Sequence, residues 1–379
     1  MTEATEQTRD RRQRWPVVLV LVAAGLVLLV VVASRIELPY YAITPGDASA
    51  VDPRVHVPAD LAHPVRGKVL LTDVLLSRVS LLDYLPYRLS SDTAVVPAAQ
   101  VLGPATPPDQ LTAQGYLEMA QSRAAAKAAA LRWLGYPVPS QDGGTLVVAV
   151  QPGSPAASAL RVAEMVKAVG STPTPNSCAF IGALHGYSPG DRVTLSVEQS
   201  TVTSNAVLVP GKVVQETVRL GRAPPGSGVP DCPGITTPGK AFLGVEIETQ
   251  QDFSFPIAVT VDTSNIGGPS AGLAMTLGII DKLYGGDLTG GTTVAATGTI
   301  DPSGNVGDVG GVAQKTIAVE RAGARDFLVP PQEYKVALAK ATRSLRVYAV
   351  STLSQALKVL SKLGGHVPAA AVTTTARTP

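Results

Sequence analysis

Histidine and cysteine are scarce in this chain, and neither occurs between Lys240 and Val350. The 379 residues include four histidines and two cysteines. If this stretch carries out nucleophilic chemistry, a serine hydroxyl must pass its proton to a lysine or a carboxylate, and a Ser-Lys pair is the economical arrangement. Scattered histidines and two isolated cysteines also give no ligand cluster, so we expect no metal site.

Charge is sparse as well, since charged residues make up 16% of the chain and the formal net charge is +2. No basic cluster occurs beyond the arginines near the N-terminus, so we expect no nucleic-acid partner. A phosphate-binding loop is also missing, because Lys315-Thr316 follows Gln314 where a P-loop requires glycine. We therefore expect no nucleotide and no other cofactor.

The N-terminal segment contains a long apolar run, with no charged residue from Trp15 to Ser34. The run is long enough at helical rise to cross a bilayer, which predicts a transmembrane anchor over 16–34. Arginines cluster in the preceding segment, so the positive-inside rule places residues 1–15 in the cytoplasm and the bulk of the chain outside. The alternative is a cleaved signal peptide with its site at Val31-Val32-Ala33, but its apolar region would be longer than usual.

The most informative motif is Gly-Gly-Pro-Ser-Ala-Gly, which contains Pro269 and Ser270. Proline suits the first turn of a helix, and apolar residues follow at helical spacing, which predicts a helix over 269–284. Ser270 would then stand at a helix N-terminus, where unpaired N–H groups can stabilise an oxyanion. We expect N–H groups near Gly268 and Ser270 to hold the oxyanion, and the backbone of Gly268, Pro269 and Ala271 to border the substrate.

Lys315 stands near the start of a second helix, predicted from about Val312 to Gly323. A lysine acts as a base only when it is neutral, so its ordinary pKa of about 10.4 must fall. Burial beside Val312 and Ile317 and the positive end of the helix dipole both disfavour the ammonium form. Each residue alone has a plainer interpretation, since a serine at a helix start often only caps the helix and an isolated helix lysine is usually solvated.

Several ordered motifs between Phe242 and Pro330 resemble the proteolytic domain of Lon-type Ser-Lys proteases. They are Gly-Pro-Ser-Ala-Gly at 268–272, Ala-Thr-Gly-Thr-Ile at 296–300, Gly-Asn-Val-Gly-Asp-Val-Gly-Gly at 304–311, Gln-Lys at 314–315, Ala-Gly-Ala at 322–324 and Phe-Leu-Val-Pro at 327–330. The resemblance implies an α/β domain of the ribosomal-protein domain-2-like fold over 240–365. It leaves open whether the protein forms a homo-oligomer. It also implies that Ser270 is the nucleophile, Lys315 the general base and Thr297 a hydroxyl that positions the lysine.

The middle of the chain, residues 140–222, resembles a PDZ domain, a small β-sandwich or barrel with helices. A β-branched run at 146–150 leads through a Pro-Gly turn into a short helix, and residues 192–197 alternate polar and apolar as a half-buried strand does. Ala163-Glu164 stands where many bacterial PDZ domains have Gly-Asp. The fold is expected, but recognition of a free C-terminus does not follow.

The two cysteines, Cys178 and Cys232, have two interpretations. An oxidising exterior would let them pair, and the bond would pin the middle region to a linker at 223–239. The alternative is a pair of free, buried thiols.

The sequence as a whole predicts an α+β protein with a cytoplasmic tail, a membrane anchor and two domains outside the cytoplasm. Residues 35–139 form an N-terminal region with an alanine-rich helix at 117–134, and residues 366–379 form a disordered tail. This order resembles bacterial membrane-anchored proteins that join a PDZ domain to a Lon-like protease. The resemblance implies an ATP-independent serine endopeptidase whose partners are exported or membrane-near, unfolded proteins or peptides.

Two other classes of function stay open. One is a non-catalytic PDZ adaptor or scaffold at the membrane surface. The other is a phosphoryl-transfer enzyme, although the glycine-rich loops of small-molecule kinases normally carry serine runs and residues 267–272 contain one serine.

Overall fold

The computed structural model describes residues 3–102, 110–224, 232, 235 and 241–370, with side chains from residue 18 onward. The chain is a mixed α+β protein, so the predicted fold class is confirmed. It divides into two compact units, one made of Met1–Pro45 and Leu75–Val101 and the other of Gly46–Val74 and Leu102–Pro379. The linker expected at 223–239 and the tail expected at 366–379 lie mostly outside the described residues, so both stay predictions.

The first unit opens with a long helix, Glu3–Arg35. By length and composition it is the one helix of the described part of the chain that could cross a membrane, because its window Val18–Arg35 has a mean hydropathy of 2.7. This unit also includes the helix Leu81–Leu89, the strand Ala94–Pro97, the strand Lys68–Ser80 from residue 75 and the first part of the strand Glu37–Ala50, which pairs antiparallel with Ala94–Pro97.

The second unit contains a sheet whose central strands end at the candidate site. In spatial order the strands are Arg346–Ala349, Asp326–Val329, Thr293–Ala296, Lys68–Ser80 and Glu37–Ala50. Of the last two strands, residues 68–74 and 46–50 belong to this unit. The strand Thr293–Ala296 pairs in parallel with both of its neighbours. Its residues from Val294 to Ala296 are fully buried, as is usual for a parallel strand covered on both faces.

Two helices pack against each other beside this sheet. We call Gly272–Leu283 the serine helix and Leu111–Trp133 the long helix. Their apolar residues join one buried core, which includes Met119, Leu131 and Leu277. The sequence places these helices at 269–284 and 117–134, whereas the structure starts the serine helix at Gly272 because residues 269–271 form a turn. The other helices are Val312–Arg321, called here the lysine helix, and Ala98–Leu102, Ser177–Leu184, Tyr334–Lys340 and Leu353–Lys362.

The middle region forms a second, antiparallel sheet. Its strand order is Val213–Arg219, Arg192–Glu198, Met165–Val169, Ser140–Val150 and Val245–Phe253, with Thr172–Pro173 beside Met165–Val169. As the alternating pattern predicts, Val193, Leu195 and Val197 are buried. A short 3-10 helix, Pro155–Ser158, lies where the sequence predicts a short helix after the Pro-Gly turn.

The Ala163-Glu164 pair keeps a turn geometry that usually requires glycine. Ala163 has a φ of 74°, in the left-handed region. The Glu164 carboxylate accepts the backbone N–H of Arg161 at 2.9 Å, which stabilises the turn. The departure from Gly-Asp therefore leaves the local fold intact.

The middle sheet is an insertion within the second unit. Its first and last strands in the chain, Ser140–Val150 and Val245–Phe253, pair antiparallel, and the N–H of Ser254 donates to the carbonyl of Pro139 at 3.0 Å. The strand Val245–Phe253 thus belongs to the middle sheet, although the sequence places it in the region 240–365. The long helix, which the sequence places in the region 35–139, packs against the serine helix.

Short paired segments complete the described fold. They are Val55–His56 with Thr260–Val261, Thr201–Val202 with Leu208–Val209, Gly221–Arg222 with Ala241–Phe242, and Thr299–Ile300 with Val306–Gly307, together with the 3-10 helix Asp52–Arg54.

Candidate active site

Ser270 lies in the turn that leads into the serine helix. Gly268, two residues earlier, has a φ of 82°, which only glycine adopts without strain. Ala271 is the N-cap residue and the helix begins at Gly272. The hydroxyl of Ser270 is therefore held just ahead of a helix N-terminus by a loop whose backbone conformation at residue 268 favours glycine.

Lys315 reaches this hydroxyl from the lysine helix. That helix starts after Gly311, whose φ of 70° lies in the left-handed region that favours glycine. The side chain is 2% exposed, and its Nζ lies 2.7 Å from Ser270 Oγ. A buried amine at hydrogen-bond distance from a serine hydroxyl is the geometry that a general base and its nucleophile require.

Thr297, which directly follows the strand Thr293–Ala296, contacts both Lys315 and Ser270. Its Oγ1 lies 3.1 Å from Lys315 Nζ and donates to the carbonyl of Ser270 at 3.2 Å. The N–H of Gly298 donates to that same carbonyl at 3.0 Å. The three residues that the sequence proposes for the chemistry thus meet in one cluster, in which Lys315 and Thr297 are buried and Ser270 is half-buried.

Burial lowers the pKa of Lys315 to about 8, because the ammonium form loses its hydration there. Two carboxylates, Asp73 and Glu333, oppose this effect and raise the lysine pKa by their negative charge. Asp73 accepts the backbone N–H of Asp47 at 2.8 Å, and Glu333 accepts that of Val309 at 3.3 Å. The sequence analysis did not identify either carboxylate, because both are far from the serine motif in the chain.

The hydrogen bonds of the backbone around Ser270 show which of its N–H groups are free. The N–H of Gly268 donates to the carbonyl of Gly115 on the long helix at 2.7 Å, so it is not free to hold an oxyanion. Pro269 has no N–H. Within the described residues, the N–H groups of Ser270 and Ala271 have no hydrogen-bond partner. These two groups are the available oxyanion donors.

Two residues of the long helix contact this loop, and the sequence analysis missed both. Besides the Gly115 carbonyl, the hydroxyl of Ser122 donates to the carbonyl of Pro269 at 2.9 Å. Gly115 and Ser122 are seven positions apart, so they lie on one face of the helix. Small residues at that spacing in an alanine-rich helix could have indicated a close backbone approach.

A cleft of about 530 Å³ adjoins the loop. The long helix and the strand Val245–Phe253 form its sides, and its lining also includes Thr299 and Pro269, the residue before Ser270. Glu118 and Glu248 both line the cleft, and burial followed by the charge of Glu248 raises the pKa of Glu118. The cleft is of the size that ligand sites have, and it contains strand-edge backbone beside the serine loop.

The remaining site candidates lie away from this cluster. Cys178 and Cys232 are joined by a disulfide bond, with their Cα atoms 5.4 Å apart. Among the described residues no group of His, Cys, Asp and Glu side chains could hold a metal ion.

Comparison with known proteins agrees with this site. Residues 241–362 match the family model of the Lon protease (S16) C-terminal proteolytic domain. Lon protease of Chloroflexus aggregans is 30% identical over 122 residues, that of Ureaplasma parvum 46% over 63 residues, and Lon protease 2 of Bacillus subtilis 34% over 104 residues. These alignments cover 31%, 17% and 27% of this chain. Residues 241–362 are therefore similar to the proteolytic domain of Lon proteases.

The chain spans 15%, 8% and 17% of the length of these curated relatives. Among solved structures, the PDZ domain of an SdrC-like protein from Listeria monocytogenes is 18% identical, and the alignment covers 28% of this chain and 87% of that one with a TM-score of 0.21. The second domain of the listeria protein Lin2157 is 18% identical, and the alignment covers 27% of this chain and 82% of that one with a TM-score of 0.20.

Proposed function

We propose that this protein is a membrane-anchored, ATP-independent serine endopeptidase that uses Ser270 and Lys315 as a catalytic pair. The observation that carries the proposal is the 2.7 Å separation of Lys315 Nζ and Ser270 Oγ in a buried site. A structural serine needs no buried amine beside it, and burying an amine without a carboxylate in direct contact costs stability. The match of residues 241–362 to a Lon-type proteolytic domain supports the same reaction.

The chemistry follows from the positions of these groups. Neutral Lys315 takes the hydroxyl proton of Ser270 while Oγ attacks the scissile carbonyl carbon, and the N–H groups of Ser270 and Ala271 stabilise the resulting oxyanion. The lysine then gives its proton to the leaving amine, which leaves an acyl group on Ser270. Water hydrolyses this ester by the same proton transfers. Thr297 holds the lysine amine in place through the 3.1 Å contact.

The cleft beside Ser270 supports a peptide substrate. One of its sides is the strand Val245–Phe253, which pairs with a single neighbour in its sheet and is therefore an edge strand. An extended peptide can add to such an edge through backbone hydrogen bonds. The 379 residues contain no phosphate-binding loop, and we propose that substrates arrive already unfolded rather than being unfolded with ATP.

The cellular position rests on the N-terminal helix. Its apolar composition supports a single membrane span, and the arginines before it support a cytoplasmic N-terminus. The Cys178–Cys232 disulfide fits an oxidising compartment outside the cytoplasm.

The test is degradation of fluorescein-labelled casein by the full chain in detergent micelles, with the wild type beside Ser270→Ala. We expect Ser270-dependent cleavage that millimolar Mg-ATP does not change. A non-catalytic adaptor would bind casein equally in both proteins and cleave it in neither. That result, or cleavage that persists in Ser270→Ala, contradicts the proposal.

A further inference from the structure

The long helix holds the loop before Ser270 at two points. The carbonyl of Gly115 accepts the N–H of Gly268 at 2.7 Å, and the hydroxyl of Ser122 donates to the carbonyl of Pro269 at 2.9 Å. Ser122 is 5% exposed, so its hydroxyl is committed to partners within the protein. A side chain at Gly272 would come within 3.0 Å of the Ser122 oxygen, which shows how closely the long helix and the serine helix approach.

The Pro269 carbonyl and the Ser270 N–H belong to one peptide group. In a trans peptide the C=O and the N–H point in opposite directions from a rigid plane. A bond that fixes the carbonyl toward the long helix therefore turns the Ser270 N–H away from that helix. The next peptide is fixed in the same manner, because Thr297 and Gly298 both donate to the Ser270 carbonyl.

We propose that Ser122 is a positioning residue, which acts through the Pro269 carbonyl to keep the Ser270 N–H oriented toward the oxyanion. The inference rests on the proposed endopeptidase and adds a residue outside the matched region 241–362 to its machinery. The N–H of Gly272 also reaches the Pro269 carbonyl, but at 3.3 Å. Without the Ser122 hydroxyl this longer contact is left to orient the peptide alone.

The variants that test this role are Ser122→Ala, Ser122→Thr and a control, Thr276→Val. Thr276 is a fully buried hydroxyl of the serine helix that donates to the Gly272 carbonyl at 2.9 Å, so the control removes an equivalent hydrogen bond without touching the Pro269 peptide. The full chain in micelles is used throughout, and the thermal midpoint of each variant is measured. A tripeptide boronic acid serves as a probe, because its tetrahedral adduct places an oxygen where the oxyanion forms.

We expect Ser122→Ala to lower kcat on labelled casein about 10-fold or more, since losing an oxyanion donor outright costs about 10² to 10³ in kcat. KM should stay within about 2-fold, because the substrate ground state does not use this N–H. The inhibition constant of the boronic acid should rise in proportion to the loss of kcat. Casein should bind Ser270→Ala and Ser122→Ala/Ser270→Ala with equal affinity, and Ser122→Thr should recover most of the activity.

The inference is overturned if kcat of Ser122→Ala is unchanged, if the loss appears in KM, or if Thr276→Val loses as much activity. An active wild type with an unaffected Ser122→Ala variant removes this inference and leaves the proposed function intact. A wild type without Ser270-dependent cleavage removes both.

Discussion

The amino group of Lys315 lies 2.7 Å from the hydroxyl of Ser270, although 45 positions separate the two residues in the chain. Each stands near the start of its own helix. Thr297, the residue after the strand Thr293–Ala296, lies between them. Among the described residues Lys315 has no direct ion pair, and a buried lysine without one is easy to deprotonate.

The rate of cleavage should depend on pH through the titration of Lys315. Burial lowers the pKa of this lysine to about 8, and only its neutral form accepts the serine proton. Below that pH the ammonium form dominates, so kcat/KM should rise about 10-fold per pH unit and level off above it. The measurement is kcat/KM on labelled casein between pH 5.5 and 10, with thermal unfolding recorded at each pH. A profile that falls from pH 6 to 9 in a folded protein contradicts this account.

Removing a nearby carboxylate should shift this profile to lower pH. Asp73 raises the pKa of Lys315 by its negative charge, so Asp73→Asn should lower the lysine pKa and increase activity at neutral pH. Asparagine keeps an oxygen for the Asp47 N–H. The control is Asp191→Asn, which also accepts a backbone N–H, from Ser188 at 2.8 Å, in the middle region. A shift of the Asp73→Asn profile to higher pH would contradict the assignment.

Thr297 should affect the rate more than substrate binding. Thr297→Val removes the hydroxyl that contacts both Lys315 Nζ and the Ser270 carbonyl, whereas Thr297→Ser keeps it. Loss of a hydrogen bond worth about 1 kcal/mol corresponds to a decrease of about 5-fold in kcat. Steady-state kinetics of the two variants separate kcat from KM. Equal activity of Thr297→Val and the wild type would show that the lysine needs no such support.

The disulfide should stabilise the middle region without taking part in catalysis. It closes a loop with a sequence separation of 54, and disulfides typically contribute about 2 to 4 kcal/mol. Cys178→Ser/Cys232→Ser should therefore lower the thermal midpoint, and a reductant should lower that of the wild type but not that of the variant. Unchanged midpoints in both experiments would argue against a bonded pair in solution.

The sequence signals that point to Ser270, Lys315 and Thr297 are local. They are the glycines before each helix, Pro269 just ahead of the serine helix and a lysine at the start of the lysine helix. The relation between the long helix and the serine loop is not local. Gly115 and Ser122 contact the backbone of Gly268 and Pro269 directly, but the whole middle sheet separates them along the chain. No short motif therefore indicates these contacts.

The sheet to which Val245–Phe253 belongs is likewise not indicated by any local signal in the sequence. This segment follows the expected linker in the chain, and only its pairing with Ser140–Val150 shows that it closes the middle sheet. The sequence also does not indicate that the Gly268 N–H is already bonded, for a related reason. The acceptor that occupies it, the Gly115 carbonyl, comes from a helix far earlier in the sequence.

The central claim is that Lys315 activates Ser270, and covalent labelling tests it most directly. The full chain is treated with a fluorophosphonate at pH 8 and digested, and the labelled peptide is identified by mass spectrometry. The control Lys282→Met removes a lysine of the serine helix that pairs with Asp52 at 2.6 Å. We predict a single label on Ser270 in the wild type and in Lys282→Met, and a labelling rate at least about 100-fold lower in the folded Lys315→Met variant. Labelling of Ser270 at the same rate in Lys315→Met, or labelling of a different serine, would contradict the account.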